Sequence, residues 1–210
     1  MMHSSPLFFQ SVPKITLYDP LSEMLGAAQK GIVHYEYGDV VKLAGHSCPT
    51  VAGAYLMLLK GLTLLYGDKT PVRGEIRVTI KGNLGEGVVG VIANVASMIT
   101  GATDTGGFHG LGGKFDRRNL LFFGPEMIED MVLERLDSGK RVVLTYNPTI
   151  VPIDPQMASW LQMTLSNQAD EQISELFRSA WQERVKTILI DFAEDPRLIQ
   201  TRISDQREAE

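Results

Sequence analysis

Apolar positions recur along this chain with two periods, and the switches between them predict its elements. In GEIRVTIKGN (74–83), Ile76, Val78 and Ile80 alternate with polar residues, the two-residue period of a half-buried strand. NLLFFG (119–124) and RVVLTYN (141–147) are short apolar runs that predict buried strands. IVHYEYGDVVKLAG (32–45) also alternates and predicts one or two strands, turning at Gly38-Asp39.

Elsewhere the period lengthens. LSEMLGAAQKG (21–31) predicts a short helix stopped at Gly31. The apolar run after Pro49 predicts a helix over about 49–66, with the proline at its first position and Ala52, Gly53, Ala54 and Gly61 allowing close approach. A second apolar stretch from Val88 predicts a helix ending near Gly101, and EMIEDMVLERLDSG (126–139) predicts a third between two strands. Beyond residue 155 two amphipathic helices are predicted, about 155–165 and 168–193; the second carries Ile173, Leu176, Phe177, Ala180, Val185, Ile188, Leu189 and Phe192 on one face.

This order predicts an α+β fold with a mixed or antiparallel sheet packed with helices. An α+β domain with an irregular lead-in is expected over 1–150 and a helical extension over 151–210, its polar end DQREAE fraying.

Composition narrows the setting. A chain of 210 residues buries a sizeable core without staples. The formal net charge is −5 and the basic residues are scattered, so nucleic acid is not an expected partner. One cysteine excludes an intrachain disulfide and fits a reducing compartment, and MMHSSPLFFQSVPK lacks a secretory pattern; the cytoplasm is the predicted location. The longest apolar stretch, Val51 to Tyr66, falls short of the roughly 20 residues that span a bilayer and predicts a core helix.

Chemistry concentrates at GHSCP (45–49). His46 and Cys48 are of ligand types suited to zinc, nickel, copper or iron, and their spacing can turn both to one side. A further ligand is needed, and His109 is the leading candidate, because Gly106-Gly107 and Gly110 let the loop DTGGFHGLGGKFD bend its imidazole toward another element. His34, Glu36 and Asp104 are other candidates. Cys48 before a helix also fits a nucleophile, because the helix N-terminus stabilises a thiolate and His46 is a base nearby. Haem ligation is a third reading, and a small buried cysteine with a hydrogen-bonding histidine is a fourth.

These residues resemble a known family. GHSCP followed by Gly53 and Tyr55, then Thr100-Gly101-Ala102-Thr103 and Asn119-Leu120-Leu121-Phe122, is similar to the pattern of the FmdE family, whose members are related to a component of formylmethanofuran dehydrogenase. The likeness covers about residues 38–124 and marks a divergent member. It implies an α+β homodimer with a metal site, often zinc, on His46 and Cys48. The chain departs from the pattern at Ala44, Thr50 and Ala102, where the family has histidine, glycine and cysteine. The insertion Asp104 to Gly113 follows Ala102, so His109 is expected to stand in for the lost thiolate.

The leading expectation is a metal-binding FmdE-like protein, most simply a zinc protein, that uses His46, Cys48 and His109 and keeps an open position for a small ligand or cofactor. Nickel, iron and haem are the other cofactors considered. A second expectation is an enzyme acting through the metal or Cys48 on a small anionic substrate, with Asp104 as base and Lys114, Arg117 or Arg118 holding the anion. A third is a non-catalytic component of a larger complex. No catalytic residue is assigned.

Overall fold

A computed structural model describes residues 5–204. The fold is α+β, as the periodicities predict. A five-stranded sheet runs in the order β4-β3-β5-β6-β7, from β3 (Ile76–Lys81), β4 (Leu121–Gly124), β5 (Met131–Arg135), β6 (Arg141–Tyr146) and β7 (Ile199–Ser204). Only β3 and β4 are parallel; the other neighbours are antiparallel. The parallel pair is joined by a crossover containing α4 (Val89–Thr100), since a tight hairpin cannot connect parallel strands.

The inner face of the sheet presents Ile76, Val78, Ile80, Met131, Leu133, Val142 and Leu144, all buried. Helix α3 (Pro49–Tyr66) lies against it, with α4 alongside. Two glycines set how closely α3 packs. A Cβ at Gly53 would collide with the Tyr146 ring, and one at Gly61 would come within 2.6 Å of Leu133. Helix α3 is long and apolar enough to cross a membrane, yet 67% of it is buried inside the fold, as expected of a core helix.

A second, two-stranded antiparallel sheet joins β1 (Ile15–Tyr18) to β2 (Ile32–Tyr35). The Tyr55 hydroxyl of α3 lies 2.7 Å from the Pro13 carbonyl and 3.0 Å from that of Tyr35, tying this small sheet to the core. Helices α5 (Met157–Leu165) and α6 (Glu171–Lys186) pack on one another, and α6 runs on through a π-helical turn, Thr187–Asp191. Val185, Ile188 and Leu189 enter the core from this segment.

Several elements differ from the sequence expectation. The lead-in is not irregular throughout, because β1 forms by pairing with a distant strand. The helix after Asp19 is short: α1 (Pro20–Met24) ends near Gly26, and Gly31 instead closes a turn at φ +66°, where a Cβ would lie 2.8 Å from the Asp19 carbonyl oxygen. Residues expected as a second strand form α2 (Tyr37–Ala44). Tyr37, Val40 and Ala44 fit a helical period equally well, and Asp39 accepts the Glu36 N–H at 3.0 Å to cap the start.

The helix expected over 126–139 is absent, and β5 occupies its centre. Met131 and Leu133 point inward while Val132 and Glu134 point outward, so cross-strand pairing on both sides overrides the helical propensity of the charged residues. The segment after residue 150 contains the two expected helices but then returns to the sheet as β7, a largely polar strand beside β6. The tail DQREAE lies outside the described residues.

Candidate functional site

The GHSCP corner links two helices. Gly45, at φ +75°, ends α2 with its N–H on the Val41 carbonyl at 2.9 Å. Cys48 is the N-cap of α3: it is extended, precedes Pro49, and its sulfur accepts the Val51 N–H at 3.5 Å. The Ser47 carbonyl accepts from Trp181 Nε1 at 2.9 Å and Gln182 Nε2 at 3.3 Å, so α6 clamps the corner. Ser47 Oγ lies 3.0 Å from the Tyr37 hydroxyl, and the Tyr146 hydroxyl donates to the Pro49 carbonyl at 2.9 Å. Burial raises the Tyr37 and Tyr146 phenols, with nearby Cys48 adding to both. Cys48 is 8% exposed and buried in the core.

His46 is exposed, and its Nδ1 lies 2.9 Å from the Ala44 carbonyl, which directs Nε2 away from that contact. His109 is exposed on the loop between α4 and β4. Its electrostatic partner there is Asp116, whose carboxyl is lowered to about 2, first by hydrogen bonds from the Arg118 side chain and backbone, with His109 contributing less. His34 Nδ1 lies 2.8 Å from Thr16 Oγ1, and Glu36 pairs with Lys14 at 2.6 Å. Among the described residues, no three or more His, Cys, Asp or Glu side chains converge into a group that could hold a metal ion. His46, Cys48 and His109 are thus not gathered into a three-ligand group among the described residues, three being the number a catalytic zinc usually takes from protein.

A different set of side chains does converge. Asp19, 2% exposed, caps α1 by accepting from Leu21 N at 3.0 Å and Ser22 N at 3.2 Å. Its carboxylate also receives Arg73 Nη1 at 2.9 Å and Arg117 Nη2 at 2.8 Å. Burial alone would raise the Asp19 carboxyl, but the Arg73 hydrogen bond, the Ser22 N–H and the Arg117 charge together hold it below its ordinary value. Arg73 also donates Nε to the Ile99 carbonyl at 3.1 Å and Nη2 to that of Met98 at 3.0 Å, closing the C-terminal end of α4.

Arg117 is 4% exposed, and its Nε and Nη1 have no hydrogen-bond partner among the described residues. It sits where glycines leave room: a Cβ on Gly74 would overlap Nη1, and one on Gly101 would come within 3.0 Å of it. Burial lowers its pKa first of all and the Asp19 charge opposes that shift. It stays a guanidinium at neutral pH because its reference value is far above 7.

These two arginines line a cleft of about 500 Å³ with Leu21, Leu43, Asn94, Ser97, Met98, Gly101, Thr103 and Phe108. Phe108 comes from the glycine-rich loop, and its carbonyl accepts the Arg117 backbone N–H at 2.9 Å. Thr103 Oγ1 donates to the Arg117 carbonyl at 2.6 Å. The loop and the buried guanidinium are thus one local assembly.

No protein-family model matches the chain, and no curated protein matches it. Among solved structures it is similar to a tungsten formylmethanofuran dehydrogenase FmdE-like protein from Syntrophus aciditrophicus. The identity is 13%, the match covers 83% of this chain and 74% of that one, and the TM-score is 0.42.

The anion-holding candidates of the sequence separate in the structure. Arg117 lines the cleft, whereas Arg118 is committed to Asp116 through Nε at 3.0 Å and Nη2 at 2.6 Å. Asp104 and Lys114 are exposed. Sequence reasoning missed Asp19 and Arg73. The Asp-Pro pair at 19–20 carries an N-cap signal, but nothing local marks its link to arginines 54 and 98 residues later.

Proposed function

We propose that this chain binds a small anionic ligand in the cleft lined by Arg117 and Arg73. The observation that carries the reading is Arg117, a buried guanidinium with two nitrogens lacking protein partners among the described residues. A buried, unpaired charged donor is costly, and such groups are retained where water or a ligand completes them. Two guanidinium groups against one Asp19 carboxylate leave the cluster with a formal charge of +1. Ser97, Asn94 and Thr103 add polar atoms around it.

Isothermal titration calorimetry with acetate and inorganic phosphate tests this reading on the whole chain. Saturable binding is expected, weakened at least about tenfold in Arg117→Lys, which keeps a charge but loses the planar donor array. Ser97→Ala, which leaves the ion cluster intact, is expected to weaken it less. Absence of binding, or equal binding by wild type and Arg117→Lys, rejects the cleft as an anion site.

A second reading keeps a transition metal, zinc first, at His46 and Cys48. It is supported by the His46 Nδ1 contact with the Ala44 carbonyl, an arrangement that leaves the other ring nitrogen free to ligate. At least one further protein ligand would have to come from a second copy of the chain, in keeping with the homodimer that the family resemblance implies. Elemental mass spectrometry of protein prepared without chelator checks it. About one metal per chain, lost in both His46→Ala and Cys48→Ala, supports the site; retention by either variant removes that residue from the ligand set.

A further inference from the structure

The lining of the cleft mixes polar and apolar side chains, which restricts what an anion in it can look like. Arg117, Arg73, Asn94, Ser97 and Thr103 are its polar lining. Leu21, Leu43 and Phe108 are apolar lining, and of these Leu43 is 47% exposed and Phe108 42% exposed. Large cleft-lining side chains left this open offer apolar surface to whatever enters it.

Charge restricts the ligand further. The cluster carries a formal +1, and both Asp19 oxygens are already engaged by the arginines. The carbonyls of Met98 and Ile99 face Arg73 from the end of α4 and add partial negative charge nearby. A monoanion neutralises this cluster. A dianion would leave an uncompensated charge beside Asp19 in a partly buried site, where desolvation is expensive.

Resting on the anion-binding reading above, we infer that the ligand class is an amphipathic monocarboxylate. Its carboxylate lies toward Arg117 and its aliphatic or aromatic body lies along Leu21, Leu43 and Phe108. The volume of about 500 Å³ lies within the range of small-molecule sites and exceeds what a bare carboxylate needs. The Phe108 carbonyl accepts the Arg117 backbone N–H, so the main chain that carries the apolar side chain is fixed next to the main chain that carries the guanidinium.

Titration calorimetry with acetate, hexanoate, phenylacetate and inorganic phosphate on the full chain separates the outcomes. Hexanoate or phenylacetate is expected to bind at least about tenfold tighter than acetate, the gain from burying about two methylene groups. Phosphate is expected to bind no tighter than acetate. Phe108→Ala, at a position 42% exposed, is expected to remove most of the gap between the longer acids and acetate. Leu43→Ala serves as a second variant with the same expectation. If acetate and phosphate bind but the longer acids gain nothing, or if phosphate is preferred, the monocarboxylate assignment is overturned and the anion site stands. If none of the four binds, both are overturned.

Discussion

The GHSCP corner and the Asp19-Arg73-Arg117 cluster teach opposite lessons about where chemistry is found. The corner has residue types that suggest a reactive or ligating site, all within five consecutive positions. In the fold, its cysteine caps α3 and its serine carbonyl is clamped by Trp181 and Gln182. The cluster has no sequence motif, yet it places three ionised groups together and leaves two guanidinium nitrogens unpaired among the described residues. Chemically suggestive neighbours in sequence can be absorbed by local structure, while ordinary residues far apart can form the more demanding site.

The largest test of that contrast is Asp19→Asn. The substitution removes the charge that holds two mostly buried arginines together, and breaking a buried pair typically costs about 3–5 kcal/mol. Urea denaturation should show this loss in midpoint with little change in slope; a cost under about 1 kcal/mol would mean that the cluster does not organise this region. The pH dependence follows in sign. Asp19 has a lowered folded-state pKa, so its contribution is present above the unfolded value of about 3.9 and is lost as pH falls through the folded value. Wild-type stability should therefore fall on acidification below about pH 4, and Asp19→Asn should flatten that fall.

A smaller effect sharpens the reading of Cys48. If its structural role is the cap, Cys48→Ala should cost about 1 kcal/mol and Cys48→Ser less, because the hydroxyl still accepts the Val51 N–H. Thermal denaturation of the two variants measures the difference. The metal reading makes a separate demand, since serine does not replace a thiolate ligand and bound metal would fall in both. Stability lost in Cys48→Ala but largely kept in Cys48→Ser, with metal lost in both, would assign Cys48 both roles.

The smallest expected effect is at the other end of the corner. His46→Ala should change stability by no more than about 0.5 kcal/mol, because His46 is exposed and its contact is local. A larger loss in chemical denaturation would show that the corner depends on the imidazole, and would narrow the difference between the two regions.

Much of the fold was legible because it rests on short-range physics. Pro49 and Gly101 marked the ends of α3 and α4, and alternation in β3 identified the inner face of the sheet. At the site, Arg117 was among the sequence candidates, whereas Asp19 and Arg73 were not. The expectation that His109 joins His46 and Cys48 rested on the freedom of a glycine-rich loop; in the fold that loop turns Phe108 to the cleft, and His109 lies by Asp116.

Local sequence patterns were enough to set the long core helix, the α4 crossover, the strand β3 and the α+β class, because hydrophobic period, helix ends and turn residues act over a few neighbouring positions. Three-dimensional packing decided that 131–135 and 199–204 are strands and that 37–44 is a helix, since cross-strand partners and capping geometry outweighed weak local preferences. It also decided which charges meet: the separations of 54 and 98 residues between Asp19 and its arginines are closed by packing of α4 and the following loop against the rest of the fold, and no local pattern encodes that.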